Sequence, residues 1–134
     1  MTHTGGFKLD GKEAQLVALS YHFFRQVDDK GRPATQVRRG EITVTIASDD
    51  KLKLAIIEWF AIPDTGKKGE IILYSGEGSD KKVFKKVEFE NGYVSDYHET
   101  YHEGGMANIQ ETFTITAEKI SVGNAKFDFR WPKA

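Results

Sequence analysis

A mainly β fold, an antiparallel barrel or sandwich of about eight strands with one flanking helix, is what the sequence predicts. Three observations carry this. Apolar and polar residues alternate in short runs, as in residues 41–47, where Ile42, Val44 and Ile46 share one face and Thr43 and Thr45 the other. Turn signals such as Asp10-Gly11, Asn91-Gly92 and Gly123-Asn124 separate these runs about every 8 to 12 residues. One stretch, residues 48–62, changes period: Leu52, Ala55, Ile56, Trp59 and Phe60 fall at i, i+3, i+4, i+7 and i+8 and form one apolar stripe.

The elements follow in order. Residues 7–10 form a short strand, and Asp10-Gly11 turns the chain into a long strand over 13–27 with Val17, Leu19, Tyr21 and Phe23 on its buried face. Residues 28–35, D-D-K-G-R-P-A-T, collect turn formers and charges and project as an exposed loop. The strand at 41–47 feeds a helix over about residues 49–61, with Leu52, Ile56, Trp59 and Phe60 as its core face. Ser48 or Asp49 caps it, Asp49 and Asp50 complement its dipole, and Pro63 ends it. Leu54 and Ile57 lie off the stripe and offer a second surface to a partner. Strands follow at 70–75 and 83–90, Asn91-Gly92 makes a hairpin to a strand over 93–102, and Gly104-Gly105 marks a loop. Residues 109–119 alternate again, and Ala125, Phe127, Phe129 and Trp131 share one face of a closing strand. Leu19, Tyr21, Ile42, Val44, Phe113, Ile115, Phe127 and Trp131 are bulky enough to fill a small barrel, which counts against a ligand-holding cavity.

The 134 residues fit one domain, 1–134, large enough to bury a core without staples, and the absence of cysteine removes disulfide and thiolate chemistry. With 19 basic and 20 acidic side chains there is no global field to attract nucleic acid or anionic lipid. No apolar run is long enough to span a membrane, and the first residues lack the basic and apolar regions of a secretory signal.

His98-Glu99-Thr100-Tyr101-His102 matches the zinc-protease pattern H-E-x-x-H, which needs a helix to bring both histidines to one metal. Here the segment is predicted extended, where residues four apart lie about 13 Å from each other, too far to share one zinc. Gly76-Glu77-Gly78 lacks the third glycine and the following helix of a dinucleotide site. Lys81, Lys82, Lys85 and Lys86 read as a guarded strand face, since Glu88 and Glu90 follow on the same strand. His22 has no assignable acid or nucleophile beside it, and Asp28-Asp29 and Asp49-Asp50 suit a turn and a helix start. No catalytic, cofactor-binding or metal-ligating set emerges, so the chain is expected to work through its surfaces and not as an enzyme.

A series of landmarks carries a resemblance. It runs from the L-D-G-K hairpin at residues 9–12 through Gly31-Arg32-Pro33, Gly40-Glu41-Ile42, the helix bearing Trp59, Gly69-Glu70-Ile71 and a Tyr-rich strand over 93–101. It continues with Gly104-Gly105-Met106, Ile115-Thr116-Ala117-Glu118-Lys119-Ile120, Gly123-Asn124-Ala125 and Trp131-Pro132. In order and spacing, from Phe7 to Pro132, this resembles the tube protein of the type VI secretion system, the Hcp or TssD family, in its Bacteroidetes form.

The resemblance implies a β-barrel of two sheets with one flanking helix and a structural role without a cofactor. It further implies six-membered rings stacking into a hollow tube, with sheath, spike and baseplate proteins as partners and effector proteins in the lumen. The chain would be made in the bacterial cytoplasm and leave through the contractile machine without a signal peptide. The loop over 28–39 would reach a neighbouring subunit or ring, with Asp28, Gly31, Arg32, Pro33, Arg38 and Arg39 at the interface and Glu88 or Glu90 as further partners. The alternatives are the tube of a phage tail or an extracellular contractile particle and, more remotely, a zinc enzyme using His98, Glu99 and His102.

Overall fold

The structure is a computed structural model that describes residues 4–37, 39–48, 52, 54–76, 78–103 and 109–132. The described residues contain seven strands: β1 (Thr4–Leu9), β2 (Lys12–Phe24), β3 (Arg39–Ala47), β4 (Lys67–Ser75), β5 (Lys82–Tyr101), β6 (Ile109–Val122) and β7 (Ala125–Asp128), with helix α1 (Ala55–Ala61) between β3 and β4. All pairings are antiparallel in the order β3-β2-β1-β4-β5-β6-β7, and β6 also pairs β3, so six strands close into a barrel. β6 serves two neighbours along one edge: Gln110–Thr116 pairs β3, and Lys119–Val122 pairs β7. The predicted barrel and flanking helix are there, as one closed sheet.

Closure follows from alternation. One side of each strand points inward, and Phe7, Ile42, Val44, Ile46, Ile71, Val87, Phe89, Phe113 and Ile115 fill the interior as one cluster. The Phe113 ring meets Phe7 edge-on at 5.3 Å, so aromatic packing occupies the centre of the barrel. Four of the residues expected to fill it, Ile42, Val44, Phe113 and Ile115, are buried there. Phe127 is instead half-buried and stacks on Phe23 at 4.3 Å, and Trp131 lies on Tyr93 at 5.9 Å.

Two features that alternation alone mispredicts are bulges. Asn91-Gly92 is not a hairpin: β5 runs through it without reversal, which leaves seven strands instead of about eight among the described residues. Asn91 takes a left-handed φ of 52°, and the register against β4 slips between Lys67↔Gly92 and Gly69↔Phe89. The same dihedral preference that favours a tight turn serves a bulge when both edges of the strand already have partners. In β2 the register slips between Leu16 and Ala18, which throws Val17 out to 46% exposure. Ala14 and Leu16 face the core before the slip, and Leu19, Tyr21 and Phe23 after it. The extra residue exchanges the two faces of the strand.

At Gly92 a side chain would place Cβ 2.7 Å from the Phe89 ring and 3.2 Å from the Lys67 carbonyl. Gly92→Ala is therefore expected to cost about 1–3 kcal/mol, since a packed ring and a backbone oxygen must both yield. Denaturant unfolding of the variant checks this; an unchanged midpoint would show that the bulge has room to spare.

The helix begins later than its periodicity suggests. Ser48 still donates its amide to the Ile109 carbonyl at 3.0 Å, extending the β3–β6 ladder, and it lies six residues before the observed cap, so it does not cap the helix. The cap is Leu54, without a side-chain hydrogen bond, and residues 49–51 lie outside the described residues, so the expected Asp49 and Asp50 roles do too. Ile62 leaves helical geometry before Pro63, as expected. Leu52, Ile56 and Trp59 are buried, whereas Phe60, expected on the core face, is 42% exposed and stacks on Tyr97. Trp59 anchors the helix: its indole lies parallel to Phe89 at 6.1 Å and donates to the Gly92 carbonyl at 3.1 Å.

Candidate assembly surfaces

Between β2 and β3 the chain folds into a small projecting hairpin organised by one carboxylate. Asp28 Oδ1 accepts from the backbone N–H groups of Lys30 and Arg32, both at 2.9 Å, and Oδ2 accepts from Arg32 Nε at 3.1 Å. The Gly31 amide donates to the Asp28 carbonyl, and Gly31 takes a φ of 82° that a residue with Cβ resists. Val27 bridges Pro33, and the Ala34 amide donates to the Gln26 carbonyl. The backbone hydrogen bond from Arg32 is the largest cause holding the Asp28 carboxyl below its usual range. Of the residues expected at an interface, Asp28, Gly31, Arg32 and Pro33 come together at this tip, whereas Arg39 sits on β3 at 4.0 Å from Glu41. Arg38 lies outside the described residues.

A second surface is apolar. Leu54, Ile57, Phe60 and Ile62 are exposed on α1 and the residues flanking it, beside the far half of β5. Leu54 and Ile57 are legible in the sequence because they lie off the stripe; Phe60 reads as core by period and is exposed because Leu52, Ile56 and Trp59 fill the space beneath the helix. A third surface is basic. At the start of β5, Val83 and Phe84 are exposed among Lys81, Lys82 and Lys85. Here β5 is paired by β4 alone, because its pairing with β6 starts at Val87. Lys81 lies over the Tyr74 ring at 4.0 Å, and Lys86 pairs Glu70 at 3.1 Å, a contact that raises its pKa. Glu88 and Glu90 lie exposed further along β5.

A fourth surface is rich in hydroxyls. On the outer wall formed by β3 and β6, Thr43 meets Thr114 and Thr45 meets Thr112 through side-chain hydrogen bonds of 3.2 and 2.9 Å. His98 lies opposite Thr112 on that side of β5 and bonds Thr100 at 3.1 Å. The H-E-x-x-H segment is thus strand through Tyr101, and His98 and His102 do not share a helical face. The zinc-enzyme alternative loses its geometric basis. No group of three or more potential metal ligands occurs among the described residues.

A bulge between Val94 and Asp96 turns Tyr97 inward, opposite Phe113. Its hydroxyl donates to Oε1 of the buried Glu111 at 2.6 Å and lies 3.2 Å from Oε2 of Glu99. Burial, then the hydrogen bond to Glu111, pushes the Tyr97 pKa strongly upward. A raised pKa means that the unfolded chain gives up this proton first. The contribution is therefore complete below the ordinary tyrosine value of 10.0 and is lost as pH climbs above it. Tyr97→Phe is expected to lower stability by about 1–3 kcal/mol at neutral pH and to flatten the decline above pH 10, read from urea midpoints against pH. An unaltered alkaline limb would assign that decline to other groups.

Comparison with known proteins places these surfaces in context. The family described as hemolysin coregulated protein Hcp (TssD) matches residues 1–132. Hcp1 from Flavobacterium johnsoniae superimposes with a TM-score of 0.76 at 26% identity, covering 93% of this chain and 98% of that one. An Hcp1 protein from E. coli gives 0.72 at 16% identity over 98% and 99%. The cap that terminates the tube of the anti-feeding prophage gives 0.58 at 17% identity over 88% and 86%, a likeness of fold.

Proposed function

We propose, starting from a chain that belongs to the Hcp (TssD) family and is therefore a structural subunit of the type VI secretion tube and not an enzyme, that six copies close into a ring and the rings stack. The observation that carries this reading is the family match over residues 1–132, nearly the whole chain. In the same reading residues 1–134 act as a single tube domain, sheath, spike and baseplate proteins surround the tube, and effector proteins travel in its lumen. The family is secreted through this apparatus, and among the described residues no helix is long and apolar enough to cross a membrane. Synthesis in the cytoplasm and export without a signal peptide complete the proposal.

The hairpin at residues 26–35 is the proposed contact between rings, with Asp28, Gly31, Arg32 and Pro33 at its tip and Arg39 at the start of β3; Arg38, outside the described residues, belongs to the proposal by sequence. It suits this role because it projects from a rigid barrel and is held by its own hydrogen bonds, so docking costs little ordering entropy. A ring needs a heterologous contact, in which two different faces of one subunit are complementary. Light scattering on a sizing column, with negative-stain images of the same peak, tests the ring. The expected mass is near six times the 15.1 kDa chain, with annular particles. A strict monomer at high concentration overturns the proposal.

A further inference from the structure

We infer that, within the proposed ring on which this inference rests, the exposed face of α1 docks onto the lysine-rimmed start of β5 in the neighbouring copy. The two surfaces match in both apolar content and charge. One presents Leu54 at 65% and Ile62 at 61% exposure together with Ile57 and Phe60. Residues 54–65 and the adjoining residues 93–103 carry Glu58, Asp64, Asp96, Glu99 and Glu103 and no lysine or arginine. The other presents Val83 at 58% and Phe84 at 61% exposure, and residues 78–86 carry Lys81, Lys82, Lys85 and Lys86 against one acid, Asp80. Lys82 and Lys85 are exposed and make no ion pair with the described residues, so their charge is available to a partner.

The placement of the two patches sets the mode of contact. α1 is fastened to β5 at Gly92 and Tyr97, whereas the basic patch begins the same strand at Lys82. From Phe84 it is 8 positions along β5 to Gly92 and 13 to Tyr97, roughly 25–40 Å of extended strand. Patches that far apart on one strand cannot meet within one copy, and a two-fold pair would have to make both contacts at once across that span. They can meet head-to-tail between copies, which is the heterologous contact that a closed ring needs. Each copy then covers one apolar patch with the other, and the acidic and basic rims fix the register.

Charge reversal and charge swap test this. Lys82→Glu with Lys85→Glu, or Glu58→Lys with Asp64→Lys, is expected to weaken ring association by about tenfold or more, with unchanged circular dichroism because all four positions are exposed. Combining the four substitutions in one chain is expected to restore the ring. The chain has no cysteine, so Ile57→Cys with Val83→Cys adds a reporter pair: oxidation should produce a ladder of covalent multimers up to six copies, and neither single variant should pass a dimer. Rings that persist in the reversed variants and give no ladder overturn this inference while leaving the ring intact. Rings that persist but no longer stack also overturn it. A wild-type chain that stays monomeric overturns both this inference and the ring.

Discussion

Trp59→Ala is expected to lower stability by about 3–5 kcal/mol, a large share of the roughly 5–15 kcal/mol that a domain of this kind possesses. Three losses combine. The side chain is 3% exposed and belongs to the barrel core, it lies parallel to Phe89 at 6.1 Å, and its indole donates to the Gly92 carbonyl at 3.1 Å. The third loss removes the donor from a carbonyl at the β5 bulge. It is isolated by Trp59→Phe, which keeps a ring on Phe89 and is expected to cost only about 1–3 kcal/mol. α1 has seven residues and no side-chain cap, too short to persist without its dock, so the alanine variant should also lose helical signal before global unfolding. Guanidinium unfolding at fixed protein concentration reads the effect as a shifted midpoint at constant slope. A loss below about 1 kcal/mol would mean that the helix is held by something other than this side chain.

In the proposed tube, Asp28→Ala is expected to leave the barrel and the ring intact while shortening the stacks, because one carboxylate organises the projecting hairpin. It accepts from Lys30 N, Arg32 N and Arg32 Nε, and without it the tip samples many conformations. If the ordered tip falls to about a tenth of its former population, the apparent affinity of one ring for the next falls about tenfold in proportion. Tube lengths in negative stain, with ring mass from light scattering, separate the two levels of assembly. The pH dependence has a definite sign. The folded pKa of Asp28 is depressed, so the stabilisation is present above the ordinary value of 3.8 and is lost as pH falls through the lower folded value. Stacking should therefore weaken in acid below that value in the wild type and show no such step in Asp28→Ala. Tubes of normal length from the variant would remove the hairpin from the inter-ring contact.

How much could be read beforehand differs from element to element. Asp10-Gly11 is the expected two-residue turn, with φ of 53° and 77°, and Gly123 opens another at 59°. Both are local: the dihedrals that the residues allow are those that the turn needs. Asn91-Gly92 carries the same local signal and yields a bulge, because β6 pairs the strand straight past it while β4 pairs it on the other edge as far as Gly92. Val17 reads as core by alternation and is exposed because the slip in β2 is set by its register against β3. Phe60 reads as core by helical period and is exposed because Trp59, Ile56 and Leu52 already fill the space beneath α1. At the candidate surfaces, residue types identified the projecting loop, while the hydrogen bonds that Asp28 makes within it depend on its folded geometry.

Local sequence pattern alone settles the class of fold, the helix with its end at Ile62, the inward set of each regular run and the loop between β2 and β3. These depend on periods, turn dihedrals and charge, all of which act over a few neighbouring residues. Long-range pairing settles the rest: that six strands close on themselves, that β6 is shared between β3 and β7, where the bulges exchange faces, and which apolar side chains remain outside. Closure, register and bulges are settled by pairings between residues far apart in the chain, and no local pattern encodes the partner that a strand will meet.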